Sequence, residues 1–190
     1  MFMYLAKAKR KENAAEYILY LWHLEDLLRA PQFSPQAIYT KLVQPVGEAD
    51  PAKGSDLLLW YIELGNLLQQ EDKAESGHLD HTLHLIANLQ GLHEDLLKAP
   101  AGEKYRELYA RLAPELPRLR EMIGKEDISD IELCFRALYA VMLYRIKGDG
   151  TKESSISDVI ELVSPLVGEL ARIFHLAEYG ELDIWDGKTS

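Results

Sequence analysis

Apolar residues recur at helical spacing along almost the whole chain, and this spacing decides the fold class before any motif is considered. Stretches that alternate as strands do, with β-branched enrichment, are missing. Glycine and proline fall between the periodic segments, where breakers belong. The pattern predicts an all-α fold: a single-domain bundle of about six to seven helices over residues 1–179, followed by an acidic, irregular tail over 180–190. Connections are short, so neighbouring helices are expected to run mostly antiparallel.

The first helix is expected from about Ala8 to Ala30, stopping before Pro31. Ser34 caps a short second helix that opens on Pro35 and reaches about Gln44, and residues 45–54 read as loop. Ser55 or Asp56 starts the third, to about Gln70, and the fourth spans about Ser76 to Lys98. The fifth runs from near Gly102 to Ile123, kinked or split by Pro114 and Pro117. Ser129 with Glu132 is a capping-box pattern for the sixth, which ends at Gly148-Asp149-Gly150. Ser155 with Asp158 repeats the pattern for the seventh, which runs to about Tyr179.

Composition narrows the functions this bundle can have. Lys and Arg number 21 against 31 Asp and Glu, a formal net charge of −10, the wrong balance for a free-standing nucleic-acid binder. The excess is polarised: residues 1–11 carry four basic side chains and no acidic one, while residues 149–190 carry nine acidic and three basic. The basic start is expected to pair with the acidic end, within one subunit or across a dimer. Cys134 is the one cysteine, which rules out an internal disulfide and a cysteine-based zinc site. The most apolar runs, 17–24 and 57–62, are far shorter than the roughly 20 residues of a membrane helix. The start is apolar first and basic second, the reverse of a secretory signal. The expectation is a cytoplasmic protein with no membrane or nucleic-acid partner and no cofactor.

Two helices are apolar on every side, the first (Tyr17, Ile18, Leu21, Trp22, Leu24, Leu28) and the sixth (Ile131, Leu133, Cys134, Phe135, Leu138, Val141), and such helices are surrounded by protein. Their charges are therefore informative. Glu25 and Arg29, with Asp26 beside them, form an i,i+4 pair on the first helix, and Glu132 and Arg136 form one on the sixth, near Tyr139. Buried charges must be paired, so these residues read as a structural salt-bridge network, as a polar pocket for a small ligand between the two helices, or as simply exposed charges.

The histidines are weaker candidates. His78, His81 and His84 turn across about 120° of a helix surface and do not converge on one ion, so no metal site is expected. His78 and His93 lie on the apolar face, where an imidazole donates to a carboxylate or a carbonyl. They complete the candidate ligand-binding set with Glu25, Asp26, Arg29, Glu132, Arg136 and Tyr139. Cys134 sits in an apolar helix as a small hydrophobe. Phosphate-loop, dinucleotide and hydrolase-elbow motifs are lacking, so no catalytic residue is assigned.

The stretch 11–22, Lys-Glu-Asn-Ala-Ala-Glu-Tyr-Ile-Leu-Tyr-Leu-Trp, followed by Glu25-Asp26 and Arg29-Ala30, resembles the opening of a family from Bacteroidetes-type bacteria known as a domain of unknown function. Gly77-His78-Leu79 with Leu92-His93 is similar to its middle, and Asp130-Ile131-Glu132-Leu133-Cys134-Phe135 to its last third. The resemblance covers nearly the whole chain and implies a small, cytoplasmic, all-helical, single-domain protein with no assigned activity. Two functional expectations follow from the residues. The first is a non-enzymatic interaction protein that self-associates as a homodimer or docks on a protein partner. The second is a ligand-binding protein or enzyme using the charged cluster of the first and sixth helices.

Overall fold

The computed structural model describes residues 10–47, 51–125 and 127–189. It is all-α, as the spacing predicts, apart from one short strand pair near the end. The helices are α1 (Ala14–Arg29), α2 (Pro35–Ile38), α3 (Gln44–Gly47), α4 (Pro51–Gln70), α5 (Asp80–Leu96), α6 (Glu103–Leu112), α7 (Leu116–Ile123), α8 (Asp130–Lys147) and α9 (Gly150–Glu178). Strands β1 (Leu182–Asp183) and β2 (Lys188–Thr189) pair antiparallel, Leu182 opposite Thr189. The described residues divide into two compact units, one holding residues 10–12 and 16–83 and the other residues 13–15 and 84–189.

In the first unit, Leu21, Leu24 and Leu28 of α1, Ile38, Val43, and Leu57, Tyr61, Leu64 and Leu68 of α4 form one apolar core with Leu79. In the second unit α8 and α9 pack on each other, and α9 packs on α6. Ile131, Leu133, Cys134, Phe135, Val163, Leu166 and Leu170 are all fully buried there. Burial of this many Leu, Ile and Phe side chains, each contributing about 1.5–3 kcal/mol, is what offsets the entropy of ordering the helices.

Several boundaries follow the expected signals. The Ser34 side chain accepts from Ala37 N–H with Pro35 as first helical residue. Ser129 accepts from Glu132 N–H at 3.2 Å, and Gly148 closes α8 in the left-handed conformation. Pro114 and Pro117 split the fifth expected helix: a 3₁₀ turn, Ala113–Glu115, separates α6 from α7.

Other boundaries differ. The first helix is not continuous from Ala8: residues 10–12 are helical, Asn13 interrupts, and its side chain caps α1 by accepting from Ala15 N–H at 3.0 Å; Ala8 itself lies outside the described residues. The expected loop at 45–54 is largely helical, because proline is tolerated at a helix start and Pro51 opens α4. Between α2 and α3 the chain makes a π-turn, Tyr39–Val43, with Gln44 N–H bonded to Tyr39 carbonyl. That wider turn precedes Pro45, which cannot donate to the helix itself. The fourth expected helix is shorter than 76–98, since α5 starts only at Asp80. The last helix starts at Gly150, not Ser155: Asp149 accepts from Lys152 N–H, while Ser155 Oγ donates to Lys152 carbonyl within the helix. The tail is not irregular, because Asp183 Oδ1 accepts from Trp185 N–H at 2.9 Å and folds it into a hairpin. Of the basic start expected to pair with the acidic end, residues 1–11, Lys7 and Lys9 lie outside the described residues.

Candidate functional site

The buried charge of the first unit is Glu25, with no solvent exposure at all. Helix α1 points it at the segment entering α5. Its Oε2 accepts from His78 Nδ1 at 2.8 Å and its Oε1 from Leu79 N–H at 3.1 Å. A carboxylate only accepts, so His78 carries its proton on Nδ1 in this contact. Arg29, one turn on, stands 3.8 Å from Glu25, bonds Asp26 at 3.0 Å, and donates to the carbonyls of Lys73 and Gly77. Gly77 takes a positive φ of 90°, which lets the chain turn into this contact. The His78 ring stacks on Trp22 with centroids 3.7 Å apart and planes 10° from parallel. Trp22 Nε1 donates to Thr82 Oγ1, which donates to Leu79 carbonyl. The result is a clasp: α1 holds residues 73–82 through one carboxylate, one guanidinium and one indole.

The second unit carries another polar cluster. His93 Nδ1 lies 2.7 Å from Tyr105 Oη, and the Tyr109 ring meets His93 edge-on at 4.7 Å. Tyr109 donates to Asp130 at 2.8 Å, and Arg120 binds the other Asp130 oxygen as well as the Ile128 carbonyl. Burial lowers the His93 pKa and raises that of Tyr105. Burial and the Asp130 hydrogen bond push Tyr109 up to about 12, and burial pushes the Cys134 thiol up to about 12. At neutral pH these are a neutral imidazole, two phenols and a thiol. None is poised as an ionised nucleophile.

The sequence candidates therefore fall into separate groups. Glu25, Asp26, Arg29 and His78 come together in the clasp. Glu132 and Arg136 pair along α8, one Glu132 oxygen taking Nε at 2.9 Å and Nη2 at 2.7 Å, and Tyr139 is buried on the same helix. His93 belongs to the tyrosine cluster. His81 and His84 are exposed, and Tyr17 Oη lies 3.2 Å from His81 Nε2. Among the described residues no three His, Cys, Asp or Glu side chains are grouped to hold a metal ion, and no helix is long and apolar enough to cross a membrane.

Sequence reasoning missed a groove of about 520 Å³ in the second unit, open to solvent, between α5 (Ala87, Gly91, Leu92, Asp95) and the end of α9 (Phe174, Ala177, Glu178). Its signal was faint: Ala87 and Gly91 are small residues one turn apart on an exposed face. The C-terminal hairpin follows α9 directly in the chain. It leaves α9 four residues after Glu178, and Ile184 carbonyl accepts from Ala101 N–H, six residues after Asp95, at 3.2 Å. Trp185 sits on the hairpin turn, 53% exposed.

Fold and site together define an all-helical protein whose buried carboxylate Glu25 is held by its own chain and whose second unit presents an open groove lined by apolar, amide and acidic side chains. The family model described as "Domain of unknown function (DUF4924)" matches residues 3–181, and the chain belongs to that family. No curated protein and no solved structure matches the chain.

Proposed function

We propose that this protein acts by contact with other proteins, as a non-enzymatic cytoplasmic homodimer that docks a protein partner. The groove of the second unit carries this reading. It is lined by small and apolar side chains with the Asn88 amide and two carboxylates, and it contains no nucleophile, imidazole or ligand set for chemistry. The polar clusters support it. Glu25 has both oxygens engaged in the fold, so a ligand at the clasp would have to displace His78 and the Leu79 N–H. The large exposed side chains Leu59 (59%) and Ile146 (60%) are candidate anchors for a second copy.

Light scattering at micromolar concentration tests the dimer, which is expected to give twice the chain mass. A monomer mass would remove self-association from the reading. A thermal-shift screen against metabolites tests the opposing view: a ligand specific to the native clasp would raise the melting temperature by mass action. Variant Arg29→Ala, which would abolish such a shift, identifies the clasp as its source.

A further inference from the structure

We propose that the groove between α5 and α9 takes an amphipathic α-helix of a partner protein, with lysine or arginine side chains placed against Asp95 and Glu178. The inference rests on the contact reading above and names the partner's chemistry. The groove floor supplies Leu92 and Phe174, apolar surface for a hydrophobic stripe at i, i+4, i+7 spacing. Ala87 and Gly91 lie one turn apart, and a Cβ added at Gly91 would meet nothing within 4 Å. A partner backbone can therefore approach α5 closely along that line.

Charge selects the kind of helix. The groove has two acidic lining residues and no basic one. The adjoining stretch 172–188 carries Glu178, Glu181, Asp183 and Asp186 against Arg172 and Lys188. A second copy of this chain, at −10 overall, is repelled from those carboxylates at long range, and its residues 1–11 are its one dense segment of opposite sign. A basic helix brings the opposite sign.

The test uses the full-length protein and a labelled peptide of about 18 residues with leucines on one helical face and lysines flanking them, set against the same peptide with glutamates for lysines. The lysine peptide is expected to bind at least about tenfold more tightly than the glutamate peptide. Gly91→Leu, which fills the groove at an open position of α5, is expected to weaken lysine-peptide binding by about tenfold or more. The double variant Asp95→Lys, Glu178→Lys is expected to reverse the preference between the peptides. No binding of the lysine peptide at millimolar concentration, equal binding of both peptides, or indifference to Gly91→Leu would overturn the proposal. Light scattering on Gly91→Leu separates the two readings. A dimer that persists while peptide binding fails leaves the contact reading standing without this partner. A dimer lost in Gly91→Leu shows that the groove's occupant is a second copy, which overturns the partner assignment.

Discussion

At the scale of single residues, the most consequential side chain is Glu25. A carboxylate without solvent exposure is tolerable only because an imidazole N–H, a backbone N–H and a guanidinium all face it. Replacing it by alanine leaves the His78 Nδ1–H and the Leu79 N–H without their acceptor and removes the carboxylate that faces Arg29. Glu25→Ala is expected to lose about 3 kcal/mol of stability, read from the urea midpoint, whereas the isosteric Glu25→Gln should lose less because it still accepts one bond. His93 gives a prediction with a sign. Burial lowers its pKa below the ordinary value of 6.5, opposed by Asp130 and Glu94, while Tyr105 and Tyr109 face it from α6. The unfolded state then binds the proton more readily. The stability from a neutral His93 is fully present above the unfolded value and is lost as the pH falls below it. The unfolding free energy of the wild type should fall more steeply between about pH 7 and pH 5 than that of His93→Gln; equal slopes would count against the burial argument. Much of the clasp was legible in sequence, since Glu25, Asp26, Arg29 and His78 were all singled out. What the sequence could not supply was the pairing. Glu25 and His78 are 53 residues apart, and helical spacing says nothing about which loop returns to a given face.

At the scale of elements, the chain reveals its helices through local chemistry and hides what depends on context. Ser129 and Gly148 bound α8 because a side-chain acceptor and a left-handed glycine are local requirements. Ser129→Ala is expected to lower stability by about 1 kcal/mol, measured by thermal unfolding. Gly148-Asp149-Gly150 reads as a break, and it is one, but it is tight: Gly148 closes α8, and Asp149 both donates its N–H to the Tyr144 carbonyl of α8 and caps α9 with its side chain. Ser155 has an equally good cap signature and is not the cap, because Asp149 caps the helix six residues earlier and Ser155 lies inside it. Pro45 and Pro51 read as loop residues because proline breaks helix interiors, yet one follows a π-turn and the other opens a helix. Gly102 had no distinguishing signal at all. A Cβ there would come within 1.9 Å of the Leu96 carbonyl oxygen, which also accepts from Arg106 at 2.9 Å. Backbone cannot yield as a flexible side chain does, so Gly102→Ala is expected to cost at least about 3 kcal/mol and to be the most damaging single methyl addition in α5–α6.

At the scale of the whole molecule, the net charge of −10 makes predictions that no single contact makes. Two copies of this chain repel each other at long range, and salt screens that repulsion over a Debye length of about 8 Å at physiological ionic strength. Self-association through apolar anchors such as Leu59 or Ile146 should therefore tighten as salt rises. Sedimentation equilibrium at about 20 and 300 mM sodium chloride reads this directly, and the dimer dissociation constant is expected to be lower in the higher salt. A groove that meets a basic helix with Asp95 and Glu178 must respond in the opposite sense, its affinity falling over the same range. The two signs keep the contacts apart experimentally. If dimerisation also weakened with salt, opposite charges would have to face each other across the dimer. The charge distribution offers one source for them, since the four basic residues of 1–11 are the chain's densest positive segment and the acidic excess lies in 149–190. Neutralising Lys7, Lys9, Arg10 and Lys11 together would then abolish the salt dependence, and would leave it unchanged if apolar anchors alone hold the dimer.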